Sequence, residues 1–108
     1  MTRGSELQTV ARQGKRIRTE HLELRVVASS LHHARVGFIV PRYGQTAVAR
    51  NRLKRRLREV VRCSILWQLP AVDLVIRARR EAYNAPFESL RRELLRGRDR
   101  VVTLFAGS

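Results

Sequence analysis

A chain of 108 residues has room for one modest hydrophobic core and not for two, so a single domain over 1–108 is predicted. With 44% apolar residues it is not disordered throughout. Its 23 Lys and Arg against 9 Asp and Glu leave a formal net charge of +14, an excess that opposes its own compaction unless a polyanion is near, either nucleic acid or an anionic membrane.

Residues 5–13 are predicted as a short helix, with Ser5 as cap, Leu7, Val10 and Ala11 at helical spacing and Gly14 as the stop. Residues 15–19 suit a short strand around Ile17. Residues 21–29 alternate, with Leu22, Leu24 and Val26 on one face and His21, Glu23, Arg25 and Val27 on the other. A turn follows, then a strand over 35–40 with Val36, Phe38 and Val40 on one face. Pro41, which has no N–H to give, ends its ladder, and 42–46 is a loop.

The longest pattern runs from about 47 to 67. Ala49, Leu53, Leu57, Val60, Val61 and Ser64 make an apolar stripe at helical spacing, with Asn51, Arg55, Arg58 and Arg62 opposite. Pro70 closes the segment. Residues 71–78 form a nearly continuous apolar run, which predicts a strand covered on both faces. A second amphipathic helix is predicted over 86–98, with Pro86 in its first turn, Phe87, Leu90, Leu94 and Leu95 inward and Gly97 at its end. Residues 101–105 suit an extra strand or a packed tail. The order is helix, two or three strands, long basic helix, strand, helix. That is α+β, with helices on one face of a mixed sheet.

The chemistry points to the long helix. Arg50, Lys54, Arg58 and Arg62 form a row of like charges at i,i+4 spacing, and Glu59 is the helix's single acid. Such a row destabilises an isolated helix, and phosphates lying along it remove the repulsion. Only Lys15 and Lys54 are lysines; the planar guanidinium forks onto phosphate and stacks on bases, so the arginine bias favours nucleic acid over a bilayer. Asn51 sits inside the cluster near the helix start. It suits either a cap for the helix or its loop, or a contact to phosphate, sugar or a base edge.

Other candidates are weaker. The adjacent His32 and His33 fit a surface turn, and His21 a solvent-facing position. Asp73 and Asp99 are far apart in sequence, so no carboxylate cluster for a metal-dependent protein nuclease is recognisable. Cys63 is alone, which excludes an intrachain disulfide and a multi-cysteine zinc site, and an unreactive thiol is expected. Trp67 and Phe38 are expected in the core. No apolar run approaches the ~20 residues of a membrane span, and residues 1–12 lack an apolar signal centre, so a cytoplasmic location is expected.

The strand Arg35-Val36-Gly37-Phe38-Ile39-Val40, a nine-residue interval and then Arg50-Asn51-Arg52-Leu53-Lys54-Arg55 resembles the bacterial ribonuclease P protein component. Val10 to Gly14 is similar to the end of that family's first helix, and Asp73 to Arg79 to its last strand, so the likeness covers roughly residues 5 to 96. The resemblance implies an α-β-β-β-α-β-α two-layer sandwich with a mixed sheet and a left-handed β-α-β crossover, a hand that general rules disfavour. It implies a non-catalytic subunit of an RNA enzyme that removes the 5′ leader of precursor tRNA. The partners would be the catalytic ribonuclease P RNA and precursor tRNA, with no membrane and no obligate protein partner. Mg2+ would be required by the holoenzyme and held mostly by RNA.

Carried over residue by residue, the resemblance implies that Arg50, Asn51, Arg52, Lys54, Arg55, Arg58 and Arg62 bind RNA. It places Leu7, Ala11, Arg25, Tyr43 and Arg79 at a leader-binding cleft. The chain departs from the family there. Leu7 and Ala11 stand where aromatics are usual, Arg25 stands at an often aromatic strand position, and Gln45 takes the place of a loop glycine. Leader binding is therefore expected to rest on arginine contacts, with Tyr43 as the available ring. Two alternatives stand beside this reading: a non-enzymatic ribosome-associated or chaperone-like RNA-binding protein, and a self-sufficient nuclease.

Overall fold

The structure, a computed structural model, describes residues 14–29 and 32–105. The helix expected over 5–13, with Leu7 and Ala11, lies outside the described residues. The elements in chain order are strands β1 (Lys15–Arg18), β2 (Leu22–Ala28) and β3 (Arg35–Ile39), helix α1 (Ala47–Val60), strand β4 (Val72–Ala78) and helix α2 (Phe87–Phe105). The sheet order is β1-β2-β4-β3. β1 and β4 each pair antiparallel with β2, while β3 runs parallel to β4, so the sheet is mixed and α1 forms the crossover between the parallel pair.

Alternation and burial agree along β2: Leu22, Leu24 and Val26 are buried, and Glu23, Arg25 and Val27 are half-buried on the other face. β4 lies between β2 and β3, and Leu74, Val75 and Ile76 are all buried, which is why its sequence is apolar without alternation. Both helices pack on the face that carries Leu24, Leu74 and Ile76. Leu53 and Leu57 enter the core from α1, and Leu90, Leu94 and Val101 from α2. Arg35 and Asp73 are register partners on β3 and β4. The guanidinium donates from Nε at 2.9 Å and Nη2 at 2.8 Å to the two carboxylate oxygens, a bidentate pair that links the parallel strands.

Three expectations are corrected. The long helix does not run regularly to Trp67. It gives way at Val61 to a π turn (Val61–Ile65) and then a short 3-10 turn (Leu66–Gln68). The wider turn advances each residue through a smaller angle, so Ile65 swings into the core at 1% exposure and Trp67 swings out to 85%. Trp67, expected inside, is a surface residue. Arg98 of α2 donates from Nη1 to the Ser64 carbonyl at 3.2 Å, which pins the distorted turn to the second helix.

The second correction is that α2 passes through Gly97 and continues to Phe105, so residues 101–105 are neither strand nor tail. Gly97 is there for space, not as a stop. A Cβ at this position would lie 2.6 Å from Cδ2 of Leu24, which is itself buried. Gly97→Ala is expected to lower stability by about 1 kcal/mol, because overpacking of about 1–3 kcal/mol outweighs a helix-propensity gain of about 0.5–1 kcal/mol. Urea denaturation checks this, and a stabilised variant would show that Leu24 can turn aside.

The third correction concerns His21, which is largely buried and not solvent-facing. Its Nδ1 lies 2.5 Å from Oε2 of Glu93, and its backbone N–H donates to Oε1 of the same carboxylate at 2.8 Å. The Thr19 hydroxyl also donates to Glu93 Oε1. One buried carboxylate thus ties α2 to the β1–β2 turn. His32 and His33 lie in an exposed bend, as expected.

Candidate nucleic-acid interface

The loop between β3 and α1 is built to deliver the basic helix at a fixed angle. Tyr43 and Gly44 take φ of +49° and +81°, a left-handed pair that reverses the chain. Gly44, one position before Gln45, supplies the conformational freedom that the resemblance placed at a neighbouring glycine. Tyr43 is held in its less favourable conformation from both ends. Its hydroxyl donates to the Ala78 carbonyl at 3.4 Å, and the Arg80 guanidinium lies 5.4 Å from its ring centroid. Tyr83 donates from its hydroxyl to the Pro41 carbonyl at 2.6 Å, and Arg50 donates from Nε to the Val40 carbonyl at 2.8 Å.

Thr46 caps α1, with its side-chain oxygen accepting from the Ala49 N–H at 3.1 Å. The capping role considered for Asn51 is therefore taken, and Asn51 is exposed on the helix. Arg52, Arg55, Arg56 and Arg58 are exposed and Lys54 is half-buried; among the described residues none of them holds an ion pair or a side-chain hydrogen bond. Arg62 is exposed and pairs with Glu59 at 3.0 Å. Arg50 is the exception in the motif: half-buried and bonded to Val40, it positions the loop. Five cations of one helix, four of them exposed, thus have no partner among the described residues, and no acid stands in its first turn. Cys63 lies beside this row. Its thiol donates to Glu59 at 3.3 Å, and that bond to a carboxylate holds it above its ordinary pKa, away from the thiolate.

The residues expected at a leader cleft are only partly brought together. Arg25 sits on the sheet face away from the helices, donating to Glu23 at 3.0 Å and to the Gly14 carbonyl at 3.3 Å. Arg79 follows β4 and donates to the carbonyls of Thr19 at 3.1 Å and Glu20 at 2.8 Å. It also pairs with Glu81 at 3.3 Å. Both guanidiniums are half-buried and hold backbone, so neither simply solvates a strand. Arg16, Arg18 and Arg77 are exposed on the same face as Arg25, with Arg16 directly across from it in the register. Strand alternation in β1 and β4 marks these three, and sequence reasoning did not single them out.

Among the described residues, no three His, Cys, Asp or Glu side chains converge as a metal site. Nor is any described helix long and apolar enough to cross a membrane. One hollow, about 520 Å³, lies between the end of β1 and α2, away from the basic row. Arg18, Arg96 and Arg100 line it together with Glu20, Glu93 and Asp99, so it carries both signs of charge.

Comparison with known proteins agrees with this arrangement. The family model described as Ribonuclease P matches residues 1–102. The ribonuclease P protein component of Syntrophobacter fumaroxidans is 38% identical over 92 residues, covering 83% of this chain and 76% of that one. That of Brucella suis is 49% identical over 63 residues, covering 57% of this chain, so the match spans under half (45%) of the relative's length. The solved ribonuclease P protein of Thermotoga maritima superposes with a TM-score of 0.79 at 25% identity, covering 89% of this chain and 91% of that one. A superposition of that quality requires the same crossover, so α1 takes the hand of that fold. The helix signature, the sheet order and the family match over residues 1–102 coincide, and the chain belongs to the ribonuclease P protein family.

Proposed function

We propose that this chain is the protein subunit of a ribonuclease P ribonucleoprotein, acting as one RNA-binding domain in the cytoplasm. Its partners are the catalytic RNA and precursor tRNA, with no membrane and no obligate protein partner. The observation that carries the reading is the unpartnered row on α1: Arg52, Lys54, Arg55, Arg56 and Arg58 without a counter-charge among the described residues. Phosphates of the catalytic RNA supply that charge, Arg50 sets the helix against its loop, and Asn51 and Arg62 flank the contact. Mg2+ is required by the holoenzyme in this reading and is held mostly by the RNA.

The leader is assigned to the sheet face of Arg25, extended by Arg79 and Tyr43, with Leu7 and Ala11 from outside the described residues. Because Arg25 and Arg79 are already oriented by backbone carbonyls, they meet a phosphate or base without first losing side-chain freedom. Tyr43 has Arg80 against its ring, which leaves less aromatic surface for a base.

The test is a cleavage and binding assay. Protein alone is expected to leave precursor tRNA intact in magnesium buffer, and protein with a transcribed ribonuclease P RNA to release the leader at the mature 5′ end. Arg25→Ala is expected to reduce the holoenzyme's preference for precursor over mature tRNA roughly tenfold, the worth of one charge-assisted hydrogen bond. Arg79→Ala should do the same and also loosen the β1–β2 turn, so its thermal transition is recorded alongside. Specific cleavage by RNA-free protein overturns the reading. An unchanged preference in both variants, with binding to the catalytic RNA still weakened in Arg55→Ala, overturns the leader assignment alone.

A further inference from the structure

Trp67 is the chain's single tryptophan and stands 85% exposed, with Leu66 beside it at 40%. A tryptophan so placed leaves a large apolar surface in water. The π turn and the 3-10 turn put it there, and the turn is anchored at its far end by Leu69, which packs against the core. The ring is therefore carried at a defined place, where the basic helix meets the bend before β3.

Two hollows adjoin it. One, about 430 Å³, lies between Arg58, Arg62 and Leu66 on the helix side and His33 and Ala34 opposite. The other, about 340 Å³, shares His33, Ala34 and Leu66 and ends at Trp67. Together they make one trough that leads from the arginines to the indole. Among the described residues no carboxylate lines either hollow, although Glu59 pairs with Arg62 and Asp73 with Arg35 from just outside the lining.

We propose that this trough binds one unpaired nucleotide of the RNA, with its base stacked on Trp67 and its phosphate between Arg58 and Arg62. The inference rests on the reading of α1 as an RNA-binding helix and extends that surface past the helix end. The chemistry selects the occupant. An aromatic face next to Arg58, which has no acid partner among the described residues, and Arg62, whose exposed Glu59 partner a phosphate can displace, matches a base joined to a phosphate, and stacking tolerates any base. A second copy of the chain fits poorly. It would bring another +14 charge against the same arginines. Among the described residues the exposed apolar surface here is two side chains, well short of the roughly 800 Å² per partner that a stable protein interface buries.

The lone tryptophan is its own reporter. The full chain is titrated with a transcribed bacterial ribonuclease P RNA while emission and acrylamide quenching are followed. Stacking is expected to quench Trp67 emission and to shield the ring from acrylamide in the saturated complex. Trp67→Ala is expected to weaken binding about tenfold, within the range found for one base–aromatic stack, without changing the salt slope; Trp67→Phe should recover most of the loss. Arg58→Ala should lower the magnitude of that slope by about one phosphate contact. If wild-type protein binds but Trp67 stays as open to acrylamide as in the free chain, or Trp67→Ala binds equally well, this inference is overturned and the reading of α1 stands. Failure of the wild-type chain to bind RNA overturns both. Shielding of Trp67 that rises with protein concentration in the absence of RNA assigns the patch to a second copy and overturns the nucleotide site.

Discussion

Raising monovalent salt from about 50 to about 200 mM is expected to weaken binding of this protein to ribonuclease P RNA by roughly 250- to 1,000-fold. The magnitude follows from the helix α1. Arg52, Lys54, Arg55, Arg56 and Arg58 have no partner among the described residues, and Arg62 has one exposed carboxylate that a phosphate can displace. If about six of these cations neutralise phosphates, each releases most of a condensed counterion, and the log–log slope of affinity against salt is about −4 to −5. Arg55→Ala should lower its magnitude by about 0.7 to 0.9. Arg50→Ala should act differently. Arg50 donates to the Val40 carbonyl, so its loss is expected to disturb the loop that aims the helix and to weaken binding by more than one contact's share. Filter binding over a salt series reads all three. A nearly flat titration would remove the phosphate reading of the helix altogether.

The parts of this molecule that could be read from its sequence are those where the physical signal is local. Alternation located β2, a continuous apolar run located β4, and a 3.6-residue stripe located α1. The Arg-Asn-Arg signature could be read because strand, loop and helix start fall within one short stretch. What escaped depends on distant partners. Gly97 looks like a helix stop until Leu24 is placed 2.6 Å from the Cβ it lacks. Trp67 looks like core until a π turn, which leaves no mark in the sequence, rotates it outward. Arg79 could be placed at the cleft only through the resemblance, and the two carbonyls about sixty positions earlier that orient its guanidinium come beside it only in the folded chain. The pairing of Arg35 with Asp73 needed the parallel register of β3 and β4, which only the crossover provides. There the Arg35 guanidinium holds the Asp73 carboxyl below its ordinary range against the opposing effect of burial.

The largest stability effect is expected at Glu93, a residue with no evident role until the chain is folded. Its carboxylate is buried on α2 and accepts from the Thr19 hydroxyl, the His21 backbone N–H and the His21 ring, 72 to 74 positions away. Glu93→Ala leaves those donors without their acceptor on the wall of the hollow beside α2, which should cost about 3 kcal/mol. For a domain of this size that is a fall in melting temperature of roughly 12–24 °C. Glu93→Gln keeps the shape and one acceptor oxygen but not the charge, and should cost about half as much. The two variants also give the pH dependence a sign. Burial pushes the Glu93 carboxyl up, but the bonds from Thr19 and His21 outweigh it and hold the group below its ordinary value of 4.5. The folded state therefore binds this proton less readily than the unfolded chain, and the carboxylate's contribution is fully present above about pH 4.5 and is lost as pH falls through the lower folded value. The stability gap between wild type and Glu93→Gln should accordingly hold steady near pH 5.5 and shrink toward pH 3, as read by urea denaturation at each pH. A gap that stays constant over that range, or a Glu93→Ala protein within about 0.5 kcal/mol of wild type, would mean that α2 is tied to the β1–β2 turn by packing and not by this carboxylate.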